Sequence, residues 1–214
     1  MSIKLLPSIA SANQLSLKGE LDRISDWPYL HIDIEDGNFV PNISFGLKTL
    51  SAICEYAKEK IIDVHLMTMH PLQWLEHFDW GNVRRVAAHI EALPYPMIFI
   101  NRAHSLGMKA GLALNIKTAA TETEAFWEIA DYLLVMTSEP DLSGEKLYKP
   151  ALNKAIALVK RLHEGPELYV DGGLTQQAVR DLNKAGAAGA VVGRIIFSAK
   201  DPLQMLNDLS LDND

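Results

Sequence analysis

Cysteine is almost absent from this chain. The single one, Cys54, excludes an internal disulfide framework and any zinc site built from cysteine alone. It also makes a reducing cytoplasm the expected location. Long apolar runs are missing: none reaches the roughly 18 residues of a membrane-spanning helix, so no membrane association is expected. The N-terminus, MSIKLLPSIASANQ, holds one lysine and a short apolar stretch broken by Pro7, which makes a poor signal peptide. Positive charge is scarce too. Lys and Arg number 20 against 27 Asp and Glu, a net charge of −7 that argues against a nucleic-acid partner. There is no low-complexity segment or linker, and no G-x-G-x-x-G follows the first strand-like run.

What the sequence does contain is an alternation of two patterns. Short apolar or β-branched runs read IKLLPSI (3–9), YLHIDI (29–34), KIIDVHL (60–66), VRRVAAHI (83–90), MKAGLAL (108–114), YLLVM (132–136), ELYV (167–170) and AVVG (190–193). Between them lie stretches with helical spacing, clearest at 47–60, 125–130, 150–162 and 175–186. The last has Thr175 as N-cap and Gly186 as C-terminal stop. The weakest signals are those of the fourth helix, with Pro94 and Pro96 near its start, and of the eighth strand, which is short. Eight strands alternating with helices imply a parallel sheet covered by helices. At 214 residues this is near the lean limit of a (β/α)₈ TIM barrel, expected here as one α/β domain spanning 1–214. An open doubly wound sheet is the alternative.

A barrel carries its chemistry at the C-terminal ends of its strands. Alternation along YLHIDIED puts His31, Asp33 and Glu35 on one face and Ile32, Ile34 and Asp36 on the other. In DVHLM, Asp63 and His65 share a face. Histidines and carboxylates from separate strands make a mixed N/O site suited to Zn²⁺, Fe²⁺, Mn²⁺ or Co²⁺ rather than Mg²⁺ or Ca²⁺. The same residues also serve elsewhere as hydrogen-bonded strand caps. Asp171, Gly172, Gly173 and Thr175 follow the seventh run and open a helix, and Gly193–Arg194 follows the eighth. Glycines there let backbone N–H groups approach an anion, and barrels often hold phosphate with these two loops. Asp33 and Asp171, on different strands, suit paired proton removal and delivery beside a carbonyl. Met67 and Met136, just past strands 3 and 6, are placed to wall a small pocket.

The motifs PSIASAN (7–13), HIDIEDGNFVPN (31–42), DVHLM (63–67), GLALNIKT (111–118), VMTSEP (135–140), VDGG (170–173) and VVGRIIF (191–197) resemble, in order, the ribulose-phosphate 3-epimerase family. The resemblance implies a (β/α)₈ barrel, a divalent metal and interconversion of D-ribulose 5-phosphate and D-xylulose 5-phosphate. It implies that His31, Asp33, His65 and Asp171 hold the metal, and that Asp33 and Asp171 are the acid/base pair. It matches Ser11 to a substrate-contacting serine, and Gly144, Gly172, Gly173 and Gly193 to parts of a phosphate pocket. It also implies a homo-oligomer. Three departures point to a divergent, epimerase-like subgroup. Glu35 stands where the family usually has a methionine beside the reacting carbons. The loop after strand 6, usually N-P-G-F-G-G-Q, reads Glu139-Pro140-Asp141-Leu142-Ser143-Gly144-Glu145. Gly-Ser after strand 8 has become Gly193–Arg194. These departures make Glu35 the candidate specificity residue and bring a different ketose phosphate, such as a hexulose 6-phosphate, into view. The alternative from another class is a barrel that has lost catalysis and binds a sugar phosphate or a partner protein.

Overall fold

The computed structural model describes residues 2–139, 146–162 and 165–211. Eight parallel strands form one sheet: β1 (Lys4–Pro7), β2 (Tyr29–Glu35), β3 (Ile61–Met67), β4 (Val83–His89), β5 (Lys109–Leu114), β6 (Tyr132–Met136), β7 (Glu167–Asp171) and β8 (Gly189–Val192). The strand order β1-β8-β7-β6-β5-β4-β3-β2 follows the chain, and a parallel bridge from Ser8 to His31 joins the two ends of the sheet. The result is the (β/α)₈ barrel. The helices are α1 (Leu17–Asp22), α2 (Leu47–Tyr56), α3 (Pro71–Leu75), α4 (Pro96–Ser105), α5 (Lys149–Val159), α6 (Gln176–Ala185), α7 (Arg194–Phe197) and α8 (Pro202–Leu211). None of the described helices is long and apolar enough to cross a membrane.

Each strand is buried on both faces, which is why it reads as an apolar run. The outward faces, including Ile32, Ile34, Val64, Leu66, Val86, Leu112, Leu133, Val135 and Val170, pack under the helices in the main core. Each such side chain contributes about 1.5–3 kcal/mol by leaving water. The inward faces make a second, smaller core of Leu6, Ala87, Ala113, Tyr132, Leu134, Tyr169 and Val191. Two glycines make room for its tyrosines. A Cβ on Gly111 would lie 2.3 Å from the Tyr132 ring, and one on Gly189 would lie 2.1 Å from the Tyr169 ring.

The helix signals are read out with three differences. Thr175 caps α6, its side chain accepting from the Ala178 N–H, and Gly186 closes the helix at φ 91°. Pro96, at the first turn of α4, starts that helix rather than weakening it, because its missing N–H has no helical partner there. The helix expected to run to residue 60 stops at Tyr56. Lys60 instead donates from Nζ to the carbonyls of Ile24, Ser25 and Trp27. The helix expected over 125–130 is replaced by a 3-10 helix at Ala120–Phe126. There the Thr123 hydroxyl donates back to the Ala120 carbonyl and accepts from Trp127 Nε1, competing with α-helical pairing.

Candidate active site

The period of two along β2 turns His31, Asp33 and Glu35 inward and sends Ile32 and Ile34 to the helical layer. Parallel pairing places His31 beside Asp63 and Asp33 beside His65. Asp171 closes the group from the end of β7. His31 Nε2 lies 3.1 Å from Asp33 Oδ1 and 3.8 Å from Asp171 Oδ2. His65 Nδ1 lies 3.3 Å from Asp33 Oδ1 and 3.5 Å from Asp171 Oδ2. One donor atom from each of the four residues falls within 4.8 Å of the others. Donors held about 2.0–2.1 Å from a divalent ion at tetrahedral angles are about 3.3 Å apart. The two-nitrogen, two-oxygen set therefore fits a metal ion in size and in chemistry. Both histidines are fully buried, and both aspartates nearly so.

The layer beneath fixes these side chains. His31 Nδ1 lies 2.7 Å from Asp63 Oδ2, so the ring donates there and turns Nε2 toward the cluster. Asp63 also accepts from Tyr132 Oη at 2.9 Å and pairs with Arg85 Nε at 3.4 Å. Burial alone would raise the Asp63 carboxyl, but Arg85 and His31 hold it at about 2. The Arg85 guanidinium lies over the rings of Tyr132 and Tyr169, 4.2 and 3.6 Å from their centroids. Asp33 accepts a 2.5 Å bond from Ser8 Oγ on its second oxygen. Burial works against the Asp33 carboxylate, yet both imidazoles draw its pKa well below the usual range. Burial likewise disfavours charge on His65, but Asp171 and Asp33 outweigh it and lift that ring to about 9.

Above the cluster opens a cavity of about 560 Å³. Asp33 and Asp171 form part of its floor, and Ser11, Glu35, Met67, Met136, Gly173, Gly193 and Arg194 line its walls. His31 and His65 lie below it. Gly172 is not among the lining residues. At φ +112° it packs against the end of β6, where a Cβ would meet Ser138 N at 2.6 Å. Gly193 presses on Ser11, whose Oγ is 2.2 Å from the position of a Cβ. Gly144 and the rest of segment 140–145 lie outside the described residues. Glu35 is half-buried, and among the described residues nothing donates to its carboxylate. Burial, with Asp33 and Asp171 nearby, raises it to about 7.

A profile of the Ribulose-phosphate 3 epimerase family matches residues 4–197. The chain belongs to this family. Membership makes it an isomerase of the carbohydrate epimerase type. It is 32% identical over 212 residues to the ribulose-phosphate 3-epimerase of Schizosaccharomyces pombe, covering 96% of this chain and 92% of that one. The Synechocystis relative of the same name is 33% identical, with 92% and 89% covered. Among solved structures, 3-hexulose-6-phosphate synthase from Salmonella typhimurium superposes with a TM-score of 0.72 at 19% identity over 99% and 98% of the two chains. A ligand complex of KGPDC from Streptococcus mutans gives 0.75 at 14% identity over 99% and 97%. At those identities the likeness is one of fold.

Several residues of the site are not singled out by sequence reasoning. Ser8 is visible only as a strand-end polar residue, and Asp63 only as sharing a face with His65, not as the partner of His31. Arg85, Tyr132 and Tyr169 carry no sequence signal, because their meeting depends on barrel closure. Asn42, from the segment after β2, lines the cavity with a buried Oδ1 that has no hydrogen-bond partner.

Proposed function

We propose that this protein is a metal-dependent 3-epimerase of a ketose phosphate, acting on D-ribulose 5-phosphate and D-xylulose 5-phosphate or a close relative. The observation that carries the reading is the His31, Asp33, His65 and Asp171 cluster, which lies at the base of a cavity walled by the turns after β7 and β8. His31, His65, Asp33 and Asp171 would hold one divalent ion, and the mixed nitrogen and oxygen donors favour zinc, iron, manganese or cobalt. Such an ion, when bound, would polarise the C2 carbonyl and offset the charge developing on its oxygen.

The chain's own groups then do the proton work. The Asp33 carboxylate removes the proton from C3. The C–H electrons move into the C2 carbonyl, giving an enediolate. Asp171, carrying a proton, delivers it to the opposite face of C3, and the configuration inverts. In the reverse direction the roles exchange. The bond from Ser8 Oγ fixes the Asp33 carboxylate, so it presents a defined oxygen. Gly173, Gly193 and Arg194, with Ser11 behind Gly193, would receive the phosphate, the arginine supplying a two-pronged donor. Met67 and Met136 wall the sugar. Glu35 would meet a substrate hydroxyl that a methionine could not hydrogen-bond, which makes it the specificity residue.

The test is proton NMR in D₂O on a panel of ketose 5- and 6-phosphates with metal-loaded protein. Epimerisation at C3 of one member establishes the reaction and names the substrate. Binding without turnover of any member, with metal content verified, would replace this reading with a sugar-phosphate-binding barrel.

A further inference from the structure

Outside the four-residue cluster, a third fully buried histidine touches it. His89, at the end of β4, places Nε2 2.9 Å from His65 Nε2. The ring centroids are 4.9 Å apart, so the two imidazoles meet edge to edge rather than face to face. Two ring nitrogens at this distance bond only when one carries the proton and the other is bare. The other side of His89 decides which. Its Nδ1 is 3.2 Å from Glu91 Oε2, and a carboxylate only accepts. Nδ1 of His89 therefore carries its proton, Nε2 of the neutral ring is bare, and His65 donates from Nε2. His65 Nδ1 is then the nitrogen that faces Asp33 and Asp171, and the one whose lone pair a metal ion would take in place of a proton.

Glu91 is itself tied down. Its Oε1 accepts from the Asn115 N–H and from the Thr118 hydroxyl. That loop is gripped in turn by Lys154 of α5, which donates to the carbonyls of Asn115, Ile116 and Thr118. Phe39 packs against the His89 ring at 4.7 Å between centroids, restricting its tilt. We infer that His89 is a positioning residue: with Glu91 it sets the tautomer and the plane of His65 so that Nδ1 is presented to a metal ion. His31 is oriented directly by a carboxylate, Asp63. His65 is oriented through an intervening imidazole, by a carboxylate anchored on the β5 loop. This inference rests on the metal reading given above.

The test uses the full chain and Zn²⁺ alone. Affinity is measured by competition with a chromophoric chelator, and folding by thermal melting. Wild type must bind zinc first; failure there overturns the metal reading and this inference together, before any variant is compared. If it binds, His89→Phe, which keeps a ring but removes the acceptor, is expected to weaken zinc about 10- to 100-fold. His89→Gln, which restores an acceptor oxygen, is expected to regain part of the loss. Equal affinity in wild type and His89→Phe overturns the inference while leaving the metal reading intact. A readout independent of any variant is the ¹⁵N spectrum of histidine-labelled, zinc-loaded wild type. His65 should show a protonated Nε2 and a bare, metal-facing Nδ1; the opposite pattern refutes the inference even if a variant fails to fold.

Discussion

Asp63→Asn is the perturbation that separates holding the barrel together from holding the metal ligand. Asp63 is 1% exposed and serves three partners: His31 Nδ1, Tyr132 Oη and Arg85 Nε. The amide keeps the shape but removes the charge, leaving Arg85 buried without a counterion, its side chain 9% exposed. Breaking a buried pair from one side costs about 3–5 kcal/mol. For a chain of this size each kcal/mol moves Tm by about 2–4 °C, so the melt should fall by roughly 6–20 °C. His31 also loses the carboxylate that orients it, which should weaken zinc about 10- to 100-fold. The double variant Asp63→Asn/Arg85→Met removes the unpaired charge as well. It should regain most of the lost Tm without regaining zinc affinity. Melting curves and chelator competition on the three proteins read the two effects apart. Wild-type Tm and wild-type affinity in the single variant would refute the reasoning, and so would a double variant that recovers both.

Other outcomes follow from the same packing. Gly189→Ala places a methyl 2.1 Å from a Tyr169 ring that Arg85 covers on one face, so it should cost about 1–3 kcal/mol by overpacking, read as a lowered Tm. Adding Tyr169→Leu should relieve that clash. Glu91 is pushed up by burial but held at about 2 by His89 and Thr118, against an ordinary value near 4.5. A depressed carboxyl stabilises the fold above its unfolded pKa and loses that contribution as pH falls through its folded one. The stability difference between wild type and Glu91→Gln, measured by urea melts, should therefore be largest above pH 4.5 and shrink toward pH 2. A pH-independent difference would contradict the assigned charge. Cys54 is buried and its thiol raised to about 12, so native protein should resist alkylation at about pH 8 while unfolded protein reacts.

The legible parts of the chain are those with local causes. Each of the eight apolar runs became a strand, with ends shifted by two residues at most, because a parallel strand buried on both faces must be apolar throughout. The inward set His31, Asp33 and Glu35 follows from strand period alone. Asp63 shows the limit of that logic. It shares a face with His65, but two residues back along a strand is about 6.6 Å deeper. It therefore orients His31 from below, and His65 and Asp171 complete the cluster. The Arg85, Tyr132 and Tyr169 stack was illegible for a different reason. Arg85 lies within the run VRRVAAHI with nothing local to mark its partners, and only closure of the barrel brings β4, β6 and β7 around one axis, with Gly111 and Gly189 making the space. The helix expected at 125–130 failed because Thr123 offered the backbone a competing hydroxyl.

The most direct test of the two-aspartate account is the isotopic content of the first product formed in D₂O from protonated substrate. Removal by Asp33 and delivery by Asp171 draw on two separate carboxyls, each open to the cavity. A solvent deuteron should stand at C3 of the product from the earliest time points, and no such product should form with Asp171→Asn. Product that retains the substrate's own C3 hydrogen would contradict it.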